Sequence, residues 1–221
     1  MKNTEKPNRL KKDIYILPDY LTHSEKEVWA TFLQGKYRLF LFELPGHKKN
    51  EKGQNYSQFL NSIEKKVLED PNPIAIVSTG FTSALALELA YKYPKKIVQC
   101  ILISPVLTES RLKQALLKIK NILNWLQNEK IRLFSVYAIF KSRNLFIRLT
   151  NTISFLKNLN FNTKVVFILS AKKSYLNDFQ TKDSLRISKN PEVVRFRYSS
   201  TKVNKNDWRF KKLIFEILNQ K

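Results

Sequence analysis

Histidine, cysteine and glycine are scarce in this chain, and each scarcity closes a route to function. The 221 residues hold one cysteine, Cys100, so an intramolecular disulfide is impossible and a thiolate metal cluster is excluded. Cys100 lies within the apolar run IVQCILIS, which predicts a buried, inert thiol. The four glycines, Gly35, Gly46, Gly53 and Gly80, stand too far apart to build a P-loop or a dinucleotide fingerprint. There are two histidines, His23 and His47, and no His/Asp/Glu group has metal-ligand spacing. Neither a metal nor a cofactor is expected. No run reaches the roughly 18 uncharged apolar residues that span a bilayer, so no transmembrane segment is predicted. The opening MKNTEKPNRLKKD lacks the apolar h-region of a signal peptide, and the expected address is cytoplasmic.

What is present in excess is positive charge. Forty Lys and Arg against 18 Asp and Glu give a formal net charge of +22. Such a surplus predicts attraction to acidic proteins, anionic membrane surfaces or nucleic acid, strongest at low salt. Apolar residues make up 43% of the chain, enough for one domain with a full hydrophobic core.

The pattern alternates strands with helices. DIYILPDY (13–20) and YRLFLFELPG (37–46) read as apolar strands, separated by a helix that starts at Ser24 and stops at Gly35. YSQFLNSIEKKVLED places Phe59, Ile63 and Val67 on one helical face, with Leu60 beside them. PIAIVS (73–78) turns at Gly80 into the buried helix TSALALELAYKY, and KIVQCILISP (96–105) is the next strand. TKVVFILSA (163–171), PEVVRFRYSS (191–200) and a terminal helix, DWRFKKLIFEILNQ, complete the series. Continuous apolar strands between helices predict an α/β fold with a mainly parallel central sheet covered on both faces. The stretch 109–160 breaks the alternation and is too long for a loop without structure of its own. The expected organisation is a polar leader (1–12), a core (13–108 and 161–221) and a small basic helical cap (109–160).

One passage, IAIVSTGFTSALALELAYKYPKKIVQCILISP, resembles the central strand, nucleophile elbow, helix and next strand of α/β-hydrolases. In that family a strand meets Gly-x-Ser-x-Gly, and a helix ending in Tyr-Pro leads to an apolar strand ending Ile-Ser-Pro. YRLFLFELPGH is similar to the family's strand ending Asp-Leu-Pro-Gly-His-Gly, with Glu43 in the Asp position. The resemblance extends to WATFLQGKY and the terminal helix, and so covers nearly the whole chain.

The family's chemistry needs an activated serine at the elbow, an imidazole, an orienting acid and two N–H groups for the oxyanion. Counted back from Pro94, the family's spacing puts the nucleophile at Gly80, which supplies no oxygen. The triad histidine should follow the last strand, but both histidines precede the elbow. Lys172, Lys173 and Ser174 occupy the region of the acid, with Asp178 the nearest carboxylate. Where the family commonly has His-Gly after its first strand, this chain has Pro18-Asp19, and an inward Asp19 would oppose an oxyanion. The expected elbow and pocket residues are Ser78, Thr79, Gly80, Phe81, Asp19 and Tyr20.

The resemblance thus implies a hydrolase scaffold without its triad, a binding protein for an acidic partner or ligand. An ester or acyl hydrolase that uses Ser78 as an unconventional nucleophile is the alternative, because Ser78-Thr79-Gly80 retains a Ser-x-Gly. Nucleic-acid binding is a third reading, with no RNA-binding motif beside the aromatics of the cap. In the cap, Leu112, Leu116, Ile119, Leu123 and Leu126 form one stripe. Arg111, Lys113, Lys118, Lys120, Lys141 and Arg143 make a basic surface suited to an anionic membrane or a partner groove. A cap helix packed over the sheet with its lysines in water accounts for the same pattern.

Overall fold

Among the described residues, six strands, most of them too apolar to face water on either side, lie parallel in one sheet. The computed structural model describes residues 12–18, 30–44, 56–105, 163–170, 191–196 and 207–220. Its strands are β1 (Asp13–Leu17), β2 (Arg38–Leu41), β3 (Ile74–Thr79), β4 (Ile97–Ile103), β5 (Lys164–Ser170) and β6 (Pro191–Phe196). The α-helices among the described residues are α1 (Tyr56–Glu69), α2 (Ser83–Lys92) and α3 (Trp208–Asn219), with a 3-10 turn at Gly80–Thr82. The proposed cap at 109–160, and the leader apart from Lys12, lie outside the described residues.

Side chains of a strand alternate between faces, and here both faces are buried. One face presents Tyr15, Leu17, Ile74, Ile76, Cys100, Leu102, Val165 and Phe167 to α1 and α2. The other presents Ile14, Ile16, Ala75, Val77, Ile101, Ile103, Val166 and Ile168 to α3 and residues 30–37. The helices match this with apolar stripes: Phe59, Ile63 and Val67 on α1, and Phe210, Ile214, Ile217 and Leu218 on α3, all buried. The α1 stripe is the one expected from the sequence. Each such side chain removed from water contributes about 1.5–3 kcal/mol.

The sheet order is β2-β1-β3-β4-β5-β6. The chain steps outward from β1 to β2, crosses back to β3 on the other side of β1, then moves steadily away. The direction of winding reverses between β1 and β3, and parallel sheets bind ligands beyond the carboxyl ends of the strands at such a switch point. The elbow sits at this switch point.

Three local features depart from the sequence expectation. The described end of the helix expected from Ser24, residues 30–33, is a 3-10 turn that closes through Lys36 N to Leu33 O at 3.0 Å and Tyr37 N to Leu33 O at 2.9 Å. The strand expected over 37–46 pairs only across 38–41; Phe42 N still donates to Ile16 O at 3.1 Å, but 43–44 leave the ladder ahead of Pro45, which has no N–H to give. Between β3 and β4 the register slips, with Ile74 opposite Ile97 and Ala75 opposite Gln99. Val98 is the extra residue of that bulge and is exposed. Gln99 is thereby turned inward, where its Nε2 donates to Ile217 O at 3.0 Å.

The end of α3 shows how the layers are tied. Its last turn leaves carbonyls without helical donors. Gln99 takes Ile217 O, and Lys12 Nζ donates to Leu218 O at 2.8 Å, a cation at the negative end of the helix dipole. At the other end the Asp207 carboxylate caps α3 by accepting from Arg209 N at 2.9 Å.

Candidate functional site

Gly80 follows β3 directly and has φ 63°, the left-handed region that disfavours a Cβ. Strand, left-handed residue and helix thus meet in one sharp elbow at the position that the family spacing indicated. Thr82, in the same turn, is buried, and its hydroxyl lies 3.1 Å from Leu17 O and 3.0 Å from Thr79 O. Its single proton serves one of those carbonyls at a time, tying the elbow to the end of β1 at the switch point.

Ser78 occupies the β3 position just inside that elbow and is fully buried. It shares the α2-facing side of the strand with Ile74 and Ile76. Its Oγ donates to Ser83 Oγ at 3.4 Å, the long limit of a hydrogen bond, and Ser83 is buried as well. Among the described residues no imidazole, amine or carboxylate is hydrogen-bonded to Ser78. Thr79 ends the strand half-buried. Of the other elbow and pocket candidates, Phe81 contributes backbone to the 3-10 turn, while Asp19 and Tyr20 lie outside the described residues. The basic-surface candidates Arg111, Lys113, Lys118, Lys120, Lys141 and Arg143 lie outside them too, as do His23 and His47.

A second backbone feature at this end was not read from the sequence. Ser104, immediately after β4, is the one described non-glycine residue with positive φ, at 45°. Its N–H donates to Ile168 O at 2.9 Å, anchoring it to β5. Thr79 pairs with Ile103, so Ser104 and Gly80 continue adjacent strands as neighbouring left-handed residues. Pro105 follows Ser104, and proline disfavours the right-handed α conformation in the residue before it. That rule could have excluded a helical Ser104, but nothing in the sequence singles out φ > 0.

The other group that sequence reading missed lies at the opposite end of the sheet. Arg38 on β2 bridges two carboxylates that are almost completely buried, Asp13 on β1 and Asp70 after α1. Arg38 Nε donates to Asp13 Oδ2 at 2.9 Å, and Nη2 donates to both Asp13 Oδ2 and Asp70 Oδ1, the latter at 2.7 Å. The Tyr15 hydroxyl lies 2.9 Å from Asp70 Oδ2 and 3.0 Å from Lys66 O, and Asn72 Nδ2 donates to Asp13 Oδ2 at 3.3 Å. Burial works against ionising Asp13, but the hydrogen bonds from Arg38 and Asn72 prevail and hold its carboxyl below the ordinary range. Burial, then the neighbouring Asp13, push Asp70 above it. The three residues are 25 and 32 positions apart, so no motif spacing announces them.

Cys100 is fully buried with its Sγ 3.7 Å from Ala86 O, and burial raises its thiol to about 12. The burial expected from the sequence is observed. Among the described residues no group of three or more His, Cys, Asp and Glu could hold a metal ion, and no helix is long and apolar enough to cross a membrane.

A parallel sheet wound in this order, with helices on both faces and an elbow at the switch point, is the α/β-hydrolase fold. Solved structures agree. The chain superposes on MenH from Staphylococcus aureus with a TM-score of 0.62 at 13% identity, covering 98% of this chain and 95% of that one. It superposes on an α/β-hydrolase family protein from Desulfitobacterium hafniense with a TM-score of 0.64 at 17% identity, covering 97% and 98%. For an α/β superfamily hydrolase from Oenococcus oeni the values are 0.61, 12%, 95% and 92%. By sequence alone, no family model and no curated protein matches the chain.

Proposed function

We propose that this chain is a non-catalytic α/β-hydrolase-like protein that uses the scaffold to bind an acidic partner or ligand in the cytoplasm. The observation that carries this reading is Gly80: the residue at the elbow has the left-handed backbone of a nucleophile position and no oxygen to attack with. Two other candidate nucleophiles are poorly placed. Ser78 is buried beneath α2 with no base bonded to it among the described residues, and burial holds the Cys100 thiol protonated. No imidazole follows residue 47 anywhere in the sequence.

The acidic partner follows from charge. The described residues contain 13 Lys and Arg and 9 Asp and Glu, nearly balanced. The remaining 27 cations and 9 carboxylates, including the six basic residues of 109–160 named above, carry most of the +22. A surplus so unevenly divided supports a binding role outside the core strands.

The test is hydrolysis of short-chain p-nitrophenyl esters by the purified chain beside Ser78→Ala, together with labelling by a fluorophosphonate. No turnover above buffer and no labelling are expected. Turnover that Ser78→Ala abolishes would make Ser78 an unconventional nucleophile and overturn the proposal. Binding is read separately, on polyglutamate, anionic vesicles and single-stranded DNA across a salt series. Affinity for at least one of them is expected to fall steeply as salt rises.

A further inference from the structure

Trp208 opens α3 with 70% of its surface exposed, although tryptophan is among the residues most covered on average. Two features continue this exposure into a patch. Lys211 and Lys212 stand three and four positions along the helix and so share its face with Trp208. Lys211 Nζ reaches 5.9 Å from the ring centre of Phe32, itself 36% exposed on the neighbouring 30–33 turn. Lys36 closes the far side, its Nζ 4.1 Å from the ring centre of Phe215. The patch therefore alternates aromatic rings with ammonium groups along one side of the layer that covers the sheet.

Charge and chemistry restrict what could cover it. Lys36, Arg209, Lys211 and Lys212 oppose two carboxylates, Asp207 and Glu216, so the patch is cationic. Its one guanidinium, Arg209, is taken by Asp207 through Nε–Oδ1 at 3.1 Å and Nη2–Oδ2 at 2.6 Å. The fork that grips a nucleic-acid phosphate or base edge is thereby occupied, which leaves the ammonium groups, with Lys212 in a long, exposed pair to Glu216 at 3.9 Å. Exposed Trp and Phe flanked by lysines are the composition that settles at a lipid headgroup layer: rings enter the interface while ammonium groups stay among the phosphates.

We propose that the face formed by Trp208, Lys211, Lys212, Phe32 and Lys36 docks the chain on an anionic lipid surface. This deepens the reading of an acidic partner and rests on it. The patch belongs to the core layer and is separate in sequence from the basic residues of 109–160.

The test is co-sedimentation of the full chain with phosphatidylcholine vesicles, with and without phosphatidylglycerol, at low salt. The wild type should sediment only with phosphatidylglycerol present. Lys211→Glu with Lys212→Glu should weaken that partition by about tenfold or more, because each basic residue near an anionic surface adds to the attraction. Trp208→Ala should weaken it several-fold, with circular dichroism confirming an unchanged fold. Lys65→Glu with Lys95→Glu, on the α1 and α2 side of the sheet, serves as the charge-matched control. An equal loss in that double variant would show that net charge alone binds lipid, overturning this patch while leaving the acidic-partner reading intact. Salt-sensitive retention on polyglutamate or single-stranded DNA without vesicle binding would have the same effect. Failure to bind any of these would overturn both.

Discussion

The two ends of the sheet are built from different chemistry. At the amino ends of β1 and β2, Asp13, Asp70 and Arg38 form an ion-pair network with Tyr15 and Asn72. At the carboxyl ends, the described residues that directly follow β1, β3 and β4 are Pro18, Gly80 and Ser104, and none has a titratable side chain. Ligands of such a sheet bind at the carboxyl end, so a catalyst would concentrate ionisable groups there. Among the described residues the perturbed carboxyls lie at the other end, where they hold β2 and the end of α1 to the sheet. Their shifted pKa values come from that structural ion pairing.

The contrast predicts its largest effect at Arg38. Arg38→Ala leaves two buried carboxyls with no guanidinium between them. Breaking a buried pair costs about 3–5 kcal/mol, and the half-exposed Arg38 side chain places this loss toward about 2–3 kcal/mol. Urea denaturation at neutral pH measures it. A loss no larger than that of a substitution at the elbow end would erase the distinction between the two ends.

The same network should give opposite pH slopes in two isosteric variants. Asp13 has a depressed folded value, so its stabilisation is present above the ordinary carboxylate pKa, about 3.9, and is lost as pH falls through the folded value. Asp70 has a raised folded value, so its favourable protonated form contributes below the ordinary pKa, and that contribution is lost as pH rises through the folded value. The destabilisation caused by Asp13→Asn should therefore grow as pH climbs out of the acid range. The destabilisation caused by Asp70→Asn should shrink over the interval between the ordinary and raised values. Parallel slopes in denaturant midpoints across pH would show that the two carboxyls do not divide the proton in this way.

At the other end, Gly80→Ser returns the missing oxygen to the elbow and separates geometry from chemistry. A side chain at φ 63° costs about 1–2 kcal/mol, and thermal denaturation should show a loss of that size. Ester hydrolysis should stay at the buffer level, because a serine without an imidazole is a poor nucleophile. Appearance of turnover would mean that a base stands near the elbow after all.

Much of this architecture was legible in advance. Continuous apolar runs such as IAIVS and CILIS, with no polar face, can only be strands covered on both sides, and the structure covers them. The elbow was legible only through the family resemblance, whose spacing counted back from Pro94 falls on Gly80, the residue with φ 63°. The Asp13–Arg38–Asp70 network was not, because strand pairing creates its proximity and leaves no local pattern. Ser104 escaped because a left-handed serine has no sequence signature beyond the proline behind it. The docking face escaped for a different reason: Trp208 and Phe32 look like core aromatics until the fold shows which face of α3 points inward.

The smallest effect belongs to Ser78→Ala. A buried hydroxyl that loses a strong partner usually costs more than 1 kcal/mol, but the Ser78–Ser83 bond is at 3.4 Å and joins two neutral groups. The orphaned Ser83 hydroxyl is in the first turn of α2, and hydroxyls there can turn to a neighbouring backbone carbonyl. The expected loss is therefore about 0.5–1 kcal/mol, and Ser83→Ala should be similar. The coupling energy from the double-mutant cycle should stay below about 0.5 kcal/mol. A coupling of several times that would mean that the two serines form a strong polar pair held against a well-packed helix. That is the arrangement expected if the hydroxyl of Ser78 is being positioned for a purpose, and the elbow end would then hold a second polar device beside the one at Arg38.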